Sequence, residues 1–209
     1  HYNNGRGQVL PVTDTVNVVV DPPVVPPFDP GTGFNGEVMV LAASVDGTND
    51  FFVGGSFTTY GSTTVNRIVR LHQDGSIAPF SYALGGFNSF VRVITPIADG
   101  SGDIYVGGNF QSYQGNVVRG VVRLRADGTV NPIFSVGSGW GSPAGSYQVV
   151  SAIAAVPNST DIYVGGHFET FRNNNITYPA QRIVRLRTDG TINLTFDTRT
   201  KGPHNHVVQ

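Results

Sequence analysis

Short apolar runs, repeated at long intervals, set the pattern of this chain. Val38 to Ala43, Val91 to Ile97 and Val149 to Val156 each precede a second run. The second runs are Phe51-Phe-Val-Gly-Gly-Ser-Phe57, Ile104-Tyr-Val-Gly-Gly-Asn-Phe110 and Ile162-Tyr-Val-Gly-Gly-His-Phe168. An aromatic follows three residues after each closing Phe: Tyr60, Tyr113 and Phe171. A third run then leads from Arg67, Gly120 or Arg182 through Val-Arg-Leu to Asp74-Gly75, Asp127-Gly128 and Asp189-Gly190, with Phe80, Phe134 and Phe196 beyond. Runs of this length, rich in β-branched residues and bounded by turn formers, predict strands. Asp-Gly supplies the positive φ of a tight hairpin. Each unit therefore reads strand, hairpin, strand, loop, strand, Asp-Gly turn, short strand.

Alternation within the second run divides its side chains between two faces. Ile104, Val106, Gly108 and Phe110 share one, Tyr105, Gly107 and Asn109 the other. Both are partly apolar or stripped to glycine. A half-solvated sheet would show one polar face, so these sheets should be covered on both sides. The glycine pair lets a neighbouring sheet approach where a Cβ would obstruct it. The valines before the pair, Val53, Val106 and Val164, stand 53 and 58 residues apart, and an insertion around Asn173 to Tyr178 lengthens the third copy. Periods of this size mark repeat architectures, and radially stacked blades are sheets covered on both faces. The expected fold is all-β: three four-stranded antiparallel blades of a β-propeller-like array, over about 28–84, 85–138 and 139–200, with a fourth begun at 201–209. Three blades fall short of the usual four to eight, so the ring should not close within these residues. Missing repeats or further copies of the chain would pair its end edges. Asp21 to Pro27 reads as a proline-rich linker. Residues 1–20 read as a strand segment, the end of a preceding module or an extra strand on the first blade. Opening on His1, the sequence is expected to be part of a longer protein.

Tyr-Val-Gly-Gly-x-Phe, then Arg-Leu-x-x-Asp-Gly, then Phe, resembles the bacterial delta-60 β-propeller repeat. The glycine pair is also similar to that of kelch blades, whose later Trp is not matched at its place. The resemblance covers roughly residues 28–209 and implies a part of a large secreted, surface or fibre protein. It implies no single activity.

Composition narrows the function classes. The net charge of −1 leaves no footprint of a nucleic-acid binder. Charged residues make up 13%, and Lys201 stands alone beside twelve arginines. There is no cysteine for a disulfide or thiolate site, and no apolar stretch of membrane-span length.

Candidate chemistry is sparse. Gly31-Thr-Gly-Phe-Asn-Gly36 has the letters of a dinucleotide fingerprint, but a proline run precedes it and a strand follows, so it reads as a turn between blades. Asp46 with Asp50, and Asp99 with Asp103, put two carboxylates in a hairpin loop; the loops read as plain turns with no metal or cofactor, a Ca²⁺ site being the alternative. Arg70, Arg123 and Arg185 recur once per blade, either to bridge structure or to meet an anionic glycan. Trp140, Tyr147 and Tyr178 are candidate ligand-contact platforms, with blade packing as the alternative. His204 and His206 offer a metal pair or a solvated terminus.

No catalytic motif emerges. The expected function is a non-enzymatic structural or adhesive module, extracellular or at the cell surface. Alternatives are a propeller binding a surface glycan or protein, including a fibre part that recognises a host, and a polysaccharide-active enzyme on the same scaffold. Neither nucleic acid nor membrane insertion is expected.

Overall fold

The computed structural model describes residues 26–80, 85–141 and 148–196. These residues form antiparallel strands with no helix among them. Blade 1 contains β1 (Val38–Ala43), β2 (Phe51–Gly55), the hairpin β3 (Thr59–Tyr60) and β4 (Thr63–Thr64), and β5 (Ile68–Leu71). Blade 2 repeats it with β6 (Val91–Pro96), β7 (Ile104–Gly108), β8 (Ser112–Tyr113), β9 (Asn116–Val117) and β10 (Val121–Leu124). Blade 3 adds β11 (Gly139–Gly141) to β12 (Val149–Ala155), β13 (Ile162–His167), β14 (Thr170–Asn173), β15 (Ile176–Pro179) and β16 (Ile183–Leu186). The glycine-pair strand is central in each blade, in the orders β1-β2-β5, β6-β7-β10 and β12-β13-β16.

Two details depart from the expected blade. The fourth strand shrinks to a single bridged residue: Ile77 to Leu71, Val130 to Leu124 and Ile192 to Leu186. Pro79 and Pro132, two residues on, have no N–H to extend the ladder, and Asn193 accepts from the Thr195 amide and turns the third chain away. The loop expected after the glycine pair is instead a short hairpin in every blade. Its turn is Gln114-Gly115 in blade 2 and Asn174-Asn175 in blade 3, both residues at positive φ as the hairpin's twist requires. In blade 3 the hairpin strands have four residues each rather than two, so the insertion extends a hairpin.

The two faces of the middle blade's central strand meet two different neighbours. Ile104 and Val106 pack with Phe52 and Ile68 of blade 1, whereas Tyr105 packs with Val150, Ile153 and Val164 of blade 3. All five residues of β7 are buried. The first glycine of each pair makes the stacking possible. A Cβ on Gly54 would lie 2.5 Å from Val91 Cγ1 and 3.1 Å from Ile94 Cδ1 of blade 2. On Gly107 it would lie 2.7 Å from Val150 Cγ1 and 3.1 Å from Ile153 Cδ1 of blade 3. Each joint is thus a valine and an isoleucine seated over a glycine.

Candidate functional site

The recurring arginines sit at one end of the central strands, each held by an aspartate that opens the strand. Arg70 Nε donates to Asp50 Oδ2 at 2.8 Å, Arg123 Nε to Asp103 Oδ2 at 2.7 Å, and Arg185 Nε to Asp161 Oδ2 at 2.7 Å. The pair ties β2 to β5, and its counterparts, in every blade. An amide joins it from the residue after the bridged fourth strand: Asn131 Nδ2 and Asn193 Nδ2 donate to Asp103 and Asp161. Blade 1 has Ala78 in that place, and His72 Nδ1 meets Asp50 Oδ1 at 2.7 Å instead. The guanidinium also faces the next blade, where Arg70 Nη1 donates to the Ala126 carbonyl. The bridging role of these arginines is therefore the one observed.

The four carboxylates considered for Ca²⁺ are drawn into this arrangement. Asp46 Oδ2 accepts from Arg70 Nη2 at 2.7 Å, and its Oδ1 accepts from Ser44, the Thr48 hydroxyl and the Thr48 amide. Burial raises its pKa, but those bonds outweigh burial and hold the carboxyl far below the usual range. Asp99 is half-exposed, accepts from the Ser101 amide and lies 3.6 Å from Arg123. Asp50 and Asp103 are buried against their arginines. Among the described residues no three His, Cys, Asp or Glu converge on a common point. The donor set fits guanidinium, and a cation there would have to displace it.

Trp140 is corrected from contact platform to core. It is 6% exposed, and its ring lies 4.5 Å from Phe168 and 4.9 Å from Phe171. It bridges to Phe171 as Phe34 does to Tyr60 and Phe87 to Tyr113. Phe34, Phe87 and Trp140 stand 53 residues apart, so the tryptophan is the third copy of one repeated aromatic. Its larger ring changes the joint. Phe87 N–H donates to the Asn66 carbonyl, whereas at the next joint Trp140 Nε1–H donates to the Arg119 carbonyl at 2.9 Å. Gly120 stands where blade 1 has Arg67, and a Cβ there would lie 3.2 Å from the indole nitrogen, a tight contact.

Tyr178 lies in the long hairpin, partly buried against the core, beside the more exposed Ile176. Tyr147, residues 1–20, the His204–His206 pair and the start of a fourth unit lie outside the described residues. Gly31 and Gly33 take positive φ in a turn that leads to β1, so the Gly31-to-Gly36 segment is the turn its neighbours implied.

One opening was not legible in the sequence. A cleft of about 270 Å³ lies between blades 2 and 3, lined by Thr95, Asp99, Tyr105, Arg123, Ser159 and Thr188 among others. At the first joint the corresponding turn approaches closely: a Cβ on Gly102 would meet Ala126 at 3.0 Å and Asp46 at 3.2 Å.

Sheets of one repeating unit, stacked face to face through glycine slots, define a β-propeller-type repeat array. Residues 52–77, 100–134 and 161–196 match the model of a family described as a beta-propeller domain of unknown function, DUF5122. The three matched segments fall one in each blade, from the central strand through the Asp-Gly turn. No curated protein and no solved structure matches the chain.

Proposed function

We propose that this array is a non-enzymatic structural and adhesive module of a larger extracellular surface or fibre protein, acting by contact rather than turnover. The observation that carries this reading is the use made of its recurring ionisable groups. Arg70, Arg123 and Arg185 are each bound by the aspartate of the same blade, so the residues with chemical potential are employed in construction. Catalytic groups are instead held poised, with reactive atoms open to a substrate. The likeness to delta-60 repeats supports the extracellular setting. A test is to offer the purified chain to arrays of surface glycans and to the same polysaccharides in a degradation assay. Retention without shortening of the polymer is the expected result; cleavage would overturn the reading.

The cleft between blades 2 and 3 favours a second reading, a binding propeller. The Arg123 guanidinium and the Tyr105 ring, 5.9 Å apart, form a wall with both a polar edge and an aromatic face. A neutral sugar, stacking on the ring and donating its hydroxyls to Asp99 and Asp161, matches that wall. Arg123→Met would then abolish glycan retention, whereas Arg185→Met would leave it.

A further inference from the structure

The two outer faces of the described blades carry the two halves of the array's internal joint. On blade 3, Tyr163, Gly165 and Ile183 occupy the places of Phe52, Gly54 and Ile68 in blade 1 and of Tyr105, Gly107 and Val121 in blade 2. In blades 1 and 2 these positions are covered by the following blade. At Gly165 an added Cβ would meet only Ala152 Cβ at 3.7 Å and the Arg182 carbonyl at 3.8 Å, both from its own blade. Ile183 is 37% exposed, against 1% for Ile68 and 2% for Val121. The slot is formed and nothing described fills it.

The matching projection stands on blade 1. Register places Val38 and Leu41 where β6 has Val91 and Ile94 and β12 has Val150 and Ile153. Val91, Ile94, Val150 and Ile153 are buried in a preceding blade, whereas Val38 is 38% and Leu41 65% exposed. The sizes at the two ends suit one another. Val40 and Val93 crowd Gly54 and Gly107, with Cγ1 atoms 2.8 and 2.7 Å from an added Cβ, but Ala152 leaves the Gly165 slot wider. Leu41, at the opposite end, has no branch at Cβ and so is less restricted at χ1 than Ile94 or Ile153. Arg185 completes the match. Arg70, its counterpart, donates to the carbonyl of Ala126, just before an Asp-Gly turn of the following blade; Gln73 holds that place in blade 1.

We infer that the Val38–Leu41 edge of one copy docks head to tail into the Gly165 slot of a second copy, two copies closing a six-bladed ring. The occupant is a second copy because both internal joints already join these same surfaces, so the contact continues an interface the fold has built twice. Surfaces that differ on the two partners make a heterologous contact, which closes a ring when the rotation permits, and six blades lie within the propeller range. This names the partner of the contact module proposed above and rests on that reading.

Sedimentation of the 209-residue chain should give about twice its 22.2 kDa. Leu41→Glu and Gly165→Val each alter an open surface, so both should keep the far-ultraviolet spectrum of the parent. Each alone should weaken self-association at least tenfold. Mixed together they should form a heterodimer, because one joint then pairs two unaltered surfaces. A parent that stays monomeric at high concentration would overturn the docking. So would a pair in which mixing rescues nothing, since that marks a contact of like surfaces. A monomer that begins to dimerise when Val207 and Val208 are changed to Asp would put the chain's own last residues in the slot, which also overturns it. Assemblies growing beyond two copies would overturn ring closure. Glycan retention by a monomeric parent would leave the contact reading standing while the docking fails, whereas polysaccharide cleavage by a dimer would do the reverse.

Discussion

Trp140 faces Phe171 across an antiparallel bridge with ring centroids 4.9 Å apart, and its indole N–H donates to the Arg119 carbonyl of the preceding blade. One side chain therefore joins the hairpin of blade 3 to the body of blade 2. Trp140→Ala should cost about 3–5 kcal/mol in denaturant unfolding, as burial of this size implies. Trp140→Phe restores the aromatic that blades 1 and 2 use but leaves the Arg119 carbonyl unmatched, at roughly 1–3 kcal/mol. A Trp140→Ala chain as stable as the parent would refute the packing role.

The ion pairs should rank by their burial. Arg70 and Asp50 have side chains 7% and 5% exposed, Arg185 and Asp161 22% and 11%. Asp50→Ala leaves the Arg70 Nε–H without its acceptor, Asp46 still holding Nη2, and should cost roughly 1–3 kcal/mol. Asp161→Ala should cost clearly less, because water reaches Arg185. The reverse order in thermal unfolding would show that the pairs are not held by desolvation.

Equivalent glycines should respond differently to the same change. Gly107→Ala drives a methyl into Val150 and Val93, each 2.7 Å from the new Cβ, and overpacking of this kind costs about 1–3 kcal/mol. Gly165→Ala meets nothing closer than 3.7 Å and should stay within ~0.5 kcal/mol at concentrations where the chain is monomeric. Equal losses at both sites would remove the stacking argument.

Stability should be flat near neutrality and fall in acid. Hydroxyls and amides two residues on hold Asp74, Asp99, Asp127 and Asp189 below the ordinary carboxylate value. Asp46 is depressed against the opposing effect of its burial. A carboxyl whose folded pKa lies below the unfolded value of about 3.9 contributes stability above that pH and loses it as pH falls through the folded value. The melting temperature should therefore be level from pH 5 to 8 and drop below about 4. A rise on acidification from pH 5 to 3 would contradict these assignments.

The blade was legible because its signals are local: Asp-Gly turns, the glycine pair and a strand apolar on both faces. Even the division of labour within β7 follows from alternation, with Ile104 toward one neighbour and Tyr105 toward the other. What escaped was set by distance along the chain. Phe87 lies four residues before Val91, whereas Trp140 lies ten before Val150. Counting back from the glycine pair therefore hid a period of 53 that counting from Phe34 and Phe87 would have revealed. The Asp50, Asp103 and Asp161 series was open to the same count. Two carboxylates in one loop drew attention to calcium, and away from the single aspartate present in all three copies. The cleft beside Arg123 depends on how two blades approach, and no spacing in one strand reports that.

Each blade carries its own slot in Gly54, Gly107 or Gly165 and its own projection in β1, β6 or β12. Every joint is therefore built on one plan, although the side chains that fill it differ. Unequal exchange between two copies within the gene would add or delete one whole unit and leave every remaining joint, and both outer surfaces, as they were. Array length is thus free to drift under selection for reach, while the chemistry of the ends is inherited unchanged.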